Sequence, residues 1–170
     1  MPMTPAELLA RLDASGIEHH TVAHQAVFTV EQSRAVRPDL PGGHSKNLFL
    51  KPQKAPGPFL LAVLEEDRRL SVNALARSLG APRVAFGAAD ELLAQLGVEA
   101  GSVTPFGLVN AVPGAVRVAF DRHLMQAFEW VNFHPLTNTM TTGIRPADLL
   151  RFLESLGHRP ELFDPPAPLA

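Results

Sequence analysis

Apolar and polar positions along this chain switch between a helical and a strand period, and the switches fall at recognisable caps. Leu8, Leu9 and Leu12 recur at helical spacing behind Thr4, Pro5 and Glu7. That is an N-cap, a first-turn proline and a capping box, and Gly16 marks the stop. "IEHHTVAH" alternates and predicts a strand, and "TVEQSRAVR" repeats the capping-box pattern with Thr29 and Gln32 and predicts a short second helix. A loop, "PDLPGGHS", leads into a strand "KNLFLK", a hairpin turn "KPQKAPGP" and a strand "FLLAVLEE" that is apolar at nearly every position. Such a run fits a strand covered on both faces.

Ser71 caps a helix over "VNALARSLG", with Gly80 closing it, and "RVAFGAADELLAQLG" predicts a short strand followed by a helix. "GSVTPFGLVN" is expected to be a loop leading into a strand. "AVRVAFDRHLM", "AFEWVNFHP" and "TNTMTTG" predict strands joined by tight connections. In "RPADLLRFLESLGH", Leu149, Phe152, Leu153 and Leu156 share one helical face, and the proline-rich tail 160–170 is expected to be irregular. There is no internal repeat and no linker long enough to divide the chain. The predicted class is mixed α/β (α+β): one domain over residues 1–170, with a mixed, largely antiparallel sheet flanked by helices.

Composition narrows the chemistry. Cysteine and tyrosine are both absent, which removes disulfides, zinc–thiolate sites, a thiol nucleophile and phenol acid/base catalysis. A net charge of −2 argues against a protein that coats nucleic acid, while leaving room for a local basic patch that grips one end. The N-terminal segment lacks a signal-peptide pattern and no apolar run reaches transmembrane length, so a cytoplasmic protein is expected, with no membrane partner. Twelve of the 15 basic residues are arginines, and the three lysines, Lys46, Lys51 and Lys54, fall within nine positions. A lysine at 46, against that bias, singles out the ammonium group.

Phosphate-loop, dinucleotide-binding and G-x-S-x-G motifs are missing. The histidines do not assemble a metal pattern. His20 and His24 share a strand face with His19 opposite, no acidic partner stands at a ligand spacing, and no metal or other cofactor is expected. His44 and His123 sit beside turns and read as solvated. His158 follows the last helix, where it can interact with the carbonyl end. His134 differs, because Pro135 fixes the backbone directly after the imidazole. Taken alone, it reads as a strand-end histidine satisfied by a backbone carbonyl, and Lys46 alone as a strand-entry lysine reaching for solvent. In "GSVTPFGL", Gly101 permits close backbone approach and Pro105 stiffens the far end, so the loop can present amides to a carbonyl or anion.

Taken in order, Lys46 and Asn47 at a strand start, the G-x-x-x-P loop at 101–105 and "HPLTNTMTTGIRPADLLRFLESLGHRP" resemble the YbaK/ProX family of aminoacyl-tRNA deacylases, which shares its domain with the editing insertion of bacterial prolyl-tRNA synthetases. The likeness runs from the first helix to Pro160. "FHPLTNTMTTGI" is most similar to the free-standing branch that removes alanine from mischarged proline tRNA. The resemblance implies a cleft for the 3′ end of tRNA and ester hydrolysis with neither a metal nor a protein nucleophile. It implies Lys46, Asn47 and His134 as catalytic residues. Gly101, Ser102, Thr104, Pro105, Phe106 and Asn138 would bind substrate. Where some relatives carry an acidic residue after the loop, this chain has Asn110. The expected partners are the acceptor end of mischarged proline tRNA and prolyl-tRNA synthetase, with no DNA.

The implied function is a trans-editing hydrolase of the carboxylic ester in Ala-tRNA(Pro). A synthetase site built for proline rejects alanine weakly, since a missing methylene is worth roughly 1–3 kcal/mol. Leu48, Phe106 and Leu108 are apolar enough to line a methyl-sized pocket, and the glycine pair 42–43 reads as a flexible lip over the cleft. Two alternatives share the fold: a deacylase for Cys-tRNA(Pro) or another aminoacyl-tRNA, and a non-catalytic tRNA-binding module.

Overall fold

A computed structural model of the chain describes residues 1–36 and 40–168; the predicted loop from Pro38 lies partly outside these residues, as does the tip of the tail. The first helix, α1 (Pro5–Ala14), forms at the expected capping box. The Thr4 hydroxyl accepts from the Glu7 amide at 3.2 Å, and the Glu7 carboxylate accepts from the Thr4 amide at 3.3 Å. Leu8 and Leu12 are fully buried beneath it. In α2 (Val30–Val36), Gln32 donates its amide to the Thr29 hydroxyl at 3.1 Å while its side chain accepts from the Phe28 amide at 2.8 Å. Ser71 caps α3 (Val72–Ser78), and α4 (Ala89–Leu96) ends at Gly97 in the left-handed conformation. The last helix, α6 (Pro146–Ser155), buries Leu149, Phe152 and Leu153 as its periodicity predicts.

Among the described residues, eight strands form one mixed sheet. They are β1 (His19–Ala23), β2 (Gly43–Pro52), β3 (Phe59–Glu65), β4 (Val84–Phe86), β5 (Val116–Asp121), β6 (Val131–Phe133), β7 (Met140–Ile144) and β8 (Glu161–Phe163). Their order is β1-β7-β6-β2-β3-β5-β8, with β4 beside β2. The β1–β7, β2–β3, β2–β4 and β6–β7 pairings are antiparallel, and β2–β6, β3–β5 and β5–β8 are parallel. The apolar run of β3 is explained by its central place. Leu61 and Val63 pack into one cluster with α1, α4 and α6, while Leu60, Ala62 and Leu64 pack into a second with α3.

Strand β2 changes partners along one edge. It pairs with β6 only at Gly43 and His44, and with β4 only from Leu50 to Pro52. Its other edge stays on β3 from Ser45 to Leu50. Between the two contacts the sheet parts, and Lys46 and Asn47 stand in that gap.

Four expectations are corrected. The glycine pair is a packed joint instead of a lip. At Gly42, with φ +105°, a Cβ would fall 2.3 Å from the Trp130 carbonyl oxygen, and at Gly43 one would fall 2.6 Å from the Phe128 ring. The strand expected after the 101–105 loop is a 3-10 helix, Pro105–Asn110, because Thr104 caps Phe106 and Pro105 presets the first turn. "DRHLM" leaves the strand period at Asp121, whose side chain caps α5 (Arg122–Ala127). The tail is regular at its start, where β8 pairs with β5 over residues 161–163.

Candidate active site

The gap in the sheet opens into a cavity of about 260 Å³, whose walls include Lys46 and Asn47 from β2, Gly101 and Val103 from the loop, and His134 from the end of β6. Segments 55 and 33 residues apart are thus brought to one place, and of the expected residues Lys46, Asn47, Gly101 and His134 meet there. Phe28, Ser33, Ser45, Glu66, Asn132 and Thr141 also line it, and none of them was singled out from the sequence. Only Asn132 carries a sequence signal, as a polar residue between Val131 and Phe133 in an otherwise apolar strand.

Each wall residue has a distinct chemical state. Lys46 shares its face of β2 with Leu48 and Leu50, is half-buried, and donates from Nζ to the Arg68 carbonyl oxygen. Burial, reinforced by the nearby Arg69 charge, lowers the ammonium pKa, and Glu65 and Asp67 oppose the shift. Asn47 donates from Nδ2 to Ser45 Oγ at 3.2 Å, while its Oδ1 is buried with no hydrogen-bond partner among the described residues. An orphan acceptor in a cavity wall is costly in a finished core and useful in a ligand site.

His134 bonds the Met140 carbonyl oxygen through Nδ1 at 2.9 Å. A carbonyl only accepts, so Nδ1 carries the proton and Nε2 is the acceptor of the neutral ring. Burial lowers the His134 pKa, the Met140 carbonyl opposes this, and His24, whose ring centre lies 6.2 Å away, adds to the lowering. The local reading from sequence, a strand-end histidine on a carbonyl, describes one nitrogen, and the cavity claims the ring's other side.

A pH dependence follows. The folded His134 pKa lies below the ordinary 6.5, so the unfolded chain binds the proton more tightly. Its contribution to stability is present above 6.5 and is lost as pH falls through the lower folded value. Urea unfolding of wild type and His134→Gln across pH 4 to 8 should show a steeper acid loss in wild type. Parallel curves would rule out burial of the neutral ring.

Gly101 takes φ +92°, and a Cβ there would lie 2.9 Å from the Phe28 ring. The glycine therefore lets the loop and Phe28, which is 68% exposed at the rim, close on each other. The remaining expected residues lie behind the wall. The Ser102 amide is committed to the Glu99 carbonyl at 3.0 Å, so it is no oxyanion donor. Thr104, Pro105 and Phe106 are buried in and beneath the 3-10 helix, with Phe106 edge-on to Phe133 at 6.1 Å. Leu108 is in the same core, and Leu48, on the Lys46 side of β2 but two residues further along, packs with the α3 cluster; neither is in the cavity wall. Asn138 straps the rim: its Nδ2 donates to the Val27 carbonyl at 3.1 Å, and its own carbonyl accepts from the Val27 amide at 3.3 Å. Asn110 ties the N-terminus down, accepting from the Met3 amide at 2.8 Å and donating to the Leu96 carbonyl at 3.0 Å.

Three other histidines are hydrogen-bonded into the fold, and one of them, His44, also lines the cavity. His24 Nδ1 bonds the Gln25 carbonyl and Nε2 the Thr141 hydroxyl, both at 2.7 Å. His44, expected to be solvated, donates to the Leu40 carbonyl at 3.1 Å. His158 is buried and reaches the Leu108 carbonyl at 2.8 Å, across to the 3-10 helix and not to the end of α6. Among the described residues no helix is long and apolar enough to cross a membrane.

The Aminoacyl-tRNA editing domain model matches residues 24–152, which span every wall of the cavity. The chain is 41% identical over 165 residues to the Bos taurus prolyl-tRNA synthetase associated domain-containing protein 1, covering 93% of this chain and 95% of that one. It is 28% identical to the prolyl-tRNA editing protein ProX of Acetoanaerobium sticklandii, over 89% and 91% of the two chains. A solved structure presented as a candidate trans-editing enzyme for prolyl tRNA synthetase superposes with a TM-score of 0.71 at 19% identity, over 98% and 99% of the chains, and so shares the fold. A sheet parted over Lys46 and Asn47, closed by a G-x-x-x-P loop and a strand-end histidine, thus sits in a chain that belongs to the aminoacyl-tRNA editing domain family.

Proposed function

We propose that residues 1–170 form a single editing domain that hydrolyses, in trans, the ester of alanine mischarged on proline tRNA. The observation that carries this reading is the meeting of Lys46, Asn47, Gly101 and His134 in one small cavity beside an exposed phenylalanine. Water adds to the ester carbonyl, the tetrahedral carbon expels the ribose oxygen, and that oxygen takes a proton; free alanine and tRNA result. Lys46 supplies positive charge to the oxygen on which negative charge develops. Asn47 Oδ1 accepts a hydrogen from the substrate's α-ammonium or a ribose hydroxyl. His134 Nε2 accepts from the attacking water or holds it in line. Phe28 at the rim offers a face on which the terminal adenine stacks.

Alanine fits where the proline ring does not, so discrimination rests on size and not on a polar group. With a net charge of −2, affinity for tRNA is modest and falls with salt. The names of the relatives support prolyl-tRNA synthetase as the companion protein.

Proline tRNA charged with alanine, cysteine or proline decides the matter. The expected result is release of alanine, with prolyl ester at least about tenfold slower. Faster release of cysteine would move the substrate to Cys-tRNA(Pro). Tight binding without release of any amino acid would make the domain a tRNA-binding module.

A further inference from the structure

The Lys46 ammonium is held by a backbone carbonyl, which mutation cannot remove directly, and that carbonyl belongs to a residue whose side chain is itself pinned. Asp121, at the end of β5, is wholly buried and accepts four hydrogen bonds. Two come from the Arg68 guanidinium, Nε at 2.9 Å and Nη2 at 3.2 Å. The others come from the amides of Glu65 and His123, both at 3.0 Å. One carboxylate thereby fixes both ends of the turn that follows β3, through the Glu65 backbone and the Arg68 side chain. The Arg68 carbonyl, on that turn, accepts from Lys46 Nζ.

We propose that Asp121 and Arg68 are positioning residues for Lys46: the buried carboxylate clamps the guanidinium and the turn, and the clamped turn holds the ammonium at the cavity wall. The inference rests on the deacylase reading of that cavity. A lysine has four rotatable carbons and, without an anchor, samples many positions. A bidentate carboxylate–guanidinium pair has one preferred geometry, and its buried carboxylate cannot easily release the partner. Rigidity is therefore passed from β5, through the turn, to a side chain on β2 that Asp121 does not touch.

The rarity of lysine makes the test clean. Protein labelled with carbon-13 and nitrogen-15 only in lysine has three side-chain signals, from Lys46, Lys51 and Lys54. In wild type the Lys46 ammonium should exchange its protons more slowly than exposed Lys54. In Arg68→Gln, the Lys46 signal should move to the position of a mobile lysine while Lys51 and Lys54 stay, and kcat on alanyl-tRNA(Pro) should fall about tenfold with KM within about twofold. Asp121→Asn should act in the same direction. If neither variant folds, Arg68→Lys, which keeps the charge beside Asp121 and loses the bidentate pair, is read in the same way. A wild-type Lys46 that exchanges as fast as Lys54 overturns the proposal, and so does a folded variant in which only one of signal and kcat changes, or neither. A wild-type protein that hydrolyses no ester defeats the deacylase reading alone, since the lysine signals judge the relay independently.

Discussion

Replacing Lys46 by Ala is expected to lower kcat/KM for alanyl-tRNA(Pro) by about 10²-fold or more, the range seen when one preorganised charge-stabilising donor is removed. The fold should survive. The side chain is half-buried, and its one hydrogen bond among the described residues, from the ammonium to the Arg68 carbonyl, is worth about 1.5 kcal/mol at such a partly exposed site. Circular dichroism and the unfolding midpoint should therefore move little while turnover collapses. Lys46→Arg should not rescue, because a planar guanidinium cannot place a point charge where the ammonium stands. Undiminished turnover in Lys46→Ala, measured under single-turnover conditions with excess enzyme, would falsify the assignment of charge stabilisation to this residue.

Phe106→Ala is expected to have the largest effect on stability. Phe106 is fully buried, packs edge-on against Phe133, and sits in the cluster that joins α1, α4 and α6 to the sheet. Truncating such a ring costs about 3–5 kcal/mol, because transfer free energy and a residual cavity add. In a chain of this length that lowers the melting temperature by roughly 10 °C. The preference for alanyl over prolyl ester, measured on the folded fraction at low temperature, should remain. The opposite pattern, a small change in melting temperature with altered discrimination, would restore Phe106 to the substrate pocket.

Much of this site was legible because its chemistry is local. Lys46 stood out against an arginine-rich composition, the 101–105 loop by its glycine and proline, and His134 by the proline after it. What escaped was of two kinds. The 3-10 helix carries at Thr104 and Pro105 the same Thr-Pro start that announces α1, but it is only six residues long and lacks the apolar stripe that made α1 evident. Asp121 is hidden for the same reason, since it caps a six-residue helix too short to break the strand period before it. The second kind is non-local. Arg68 lies 22 residues from Lys46 and 53 from Asp121, and no periodicity within a segment encodes which carbonyl a lysine will find across a sheet. Phe106 shows the converse. It directly follows the matching 101–105 motif, yet it supports the loop from below and is absent from the cavity wall.

The place where β2 changes partners has a mechanical meaning. The half of the sheet carrying His134 and the half carrying Lys46 are joined along β2 and β6 by two residue pairs, Gly43 with Val131 and His44 with Asn132. Asn132 sews that short seam with its side chain, donating to the carbonyls of Pro41 at 3.1 Å and Gly43 at 3.0 Å, while its backbone carbonyl accepts from the Ser45 hydroxyl at 3.1 Å. The root of the aperture is thus held by Asn132, which lines the cavity and stitches the two halves together, so a change at this one residue alters wall and joint at once.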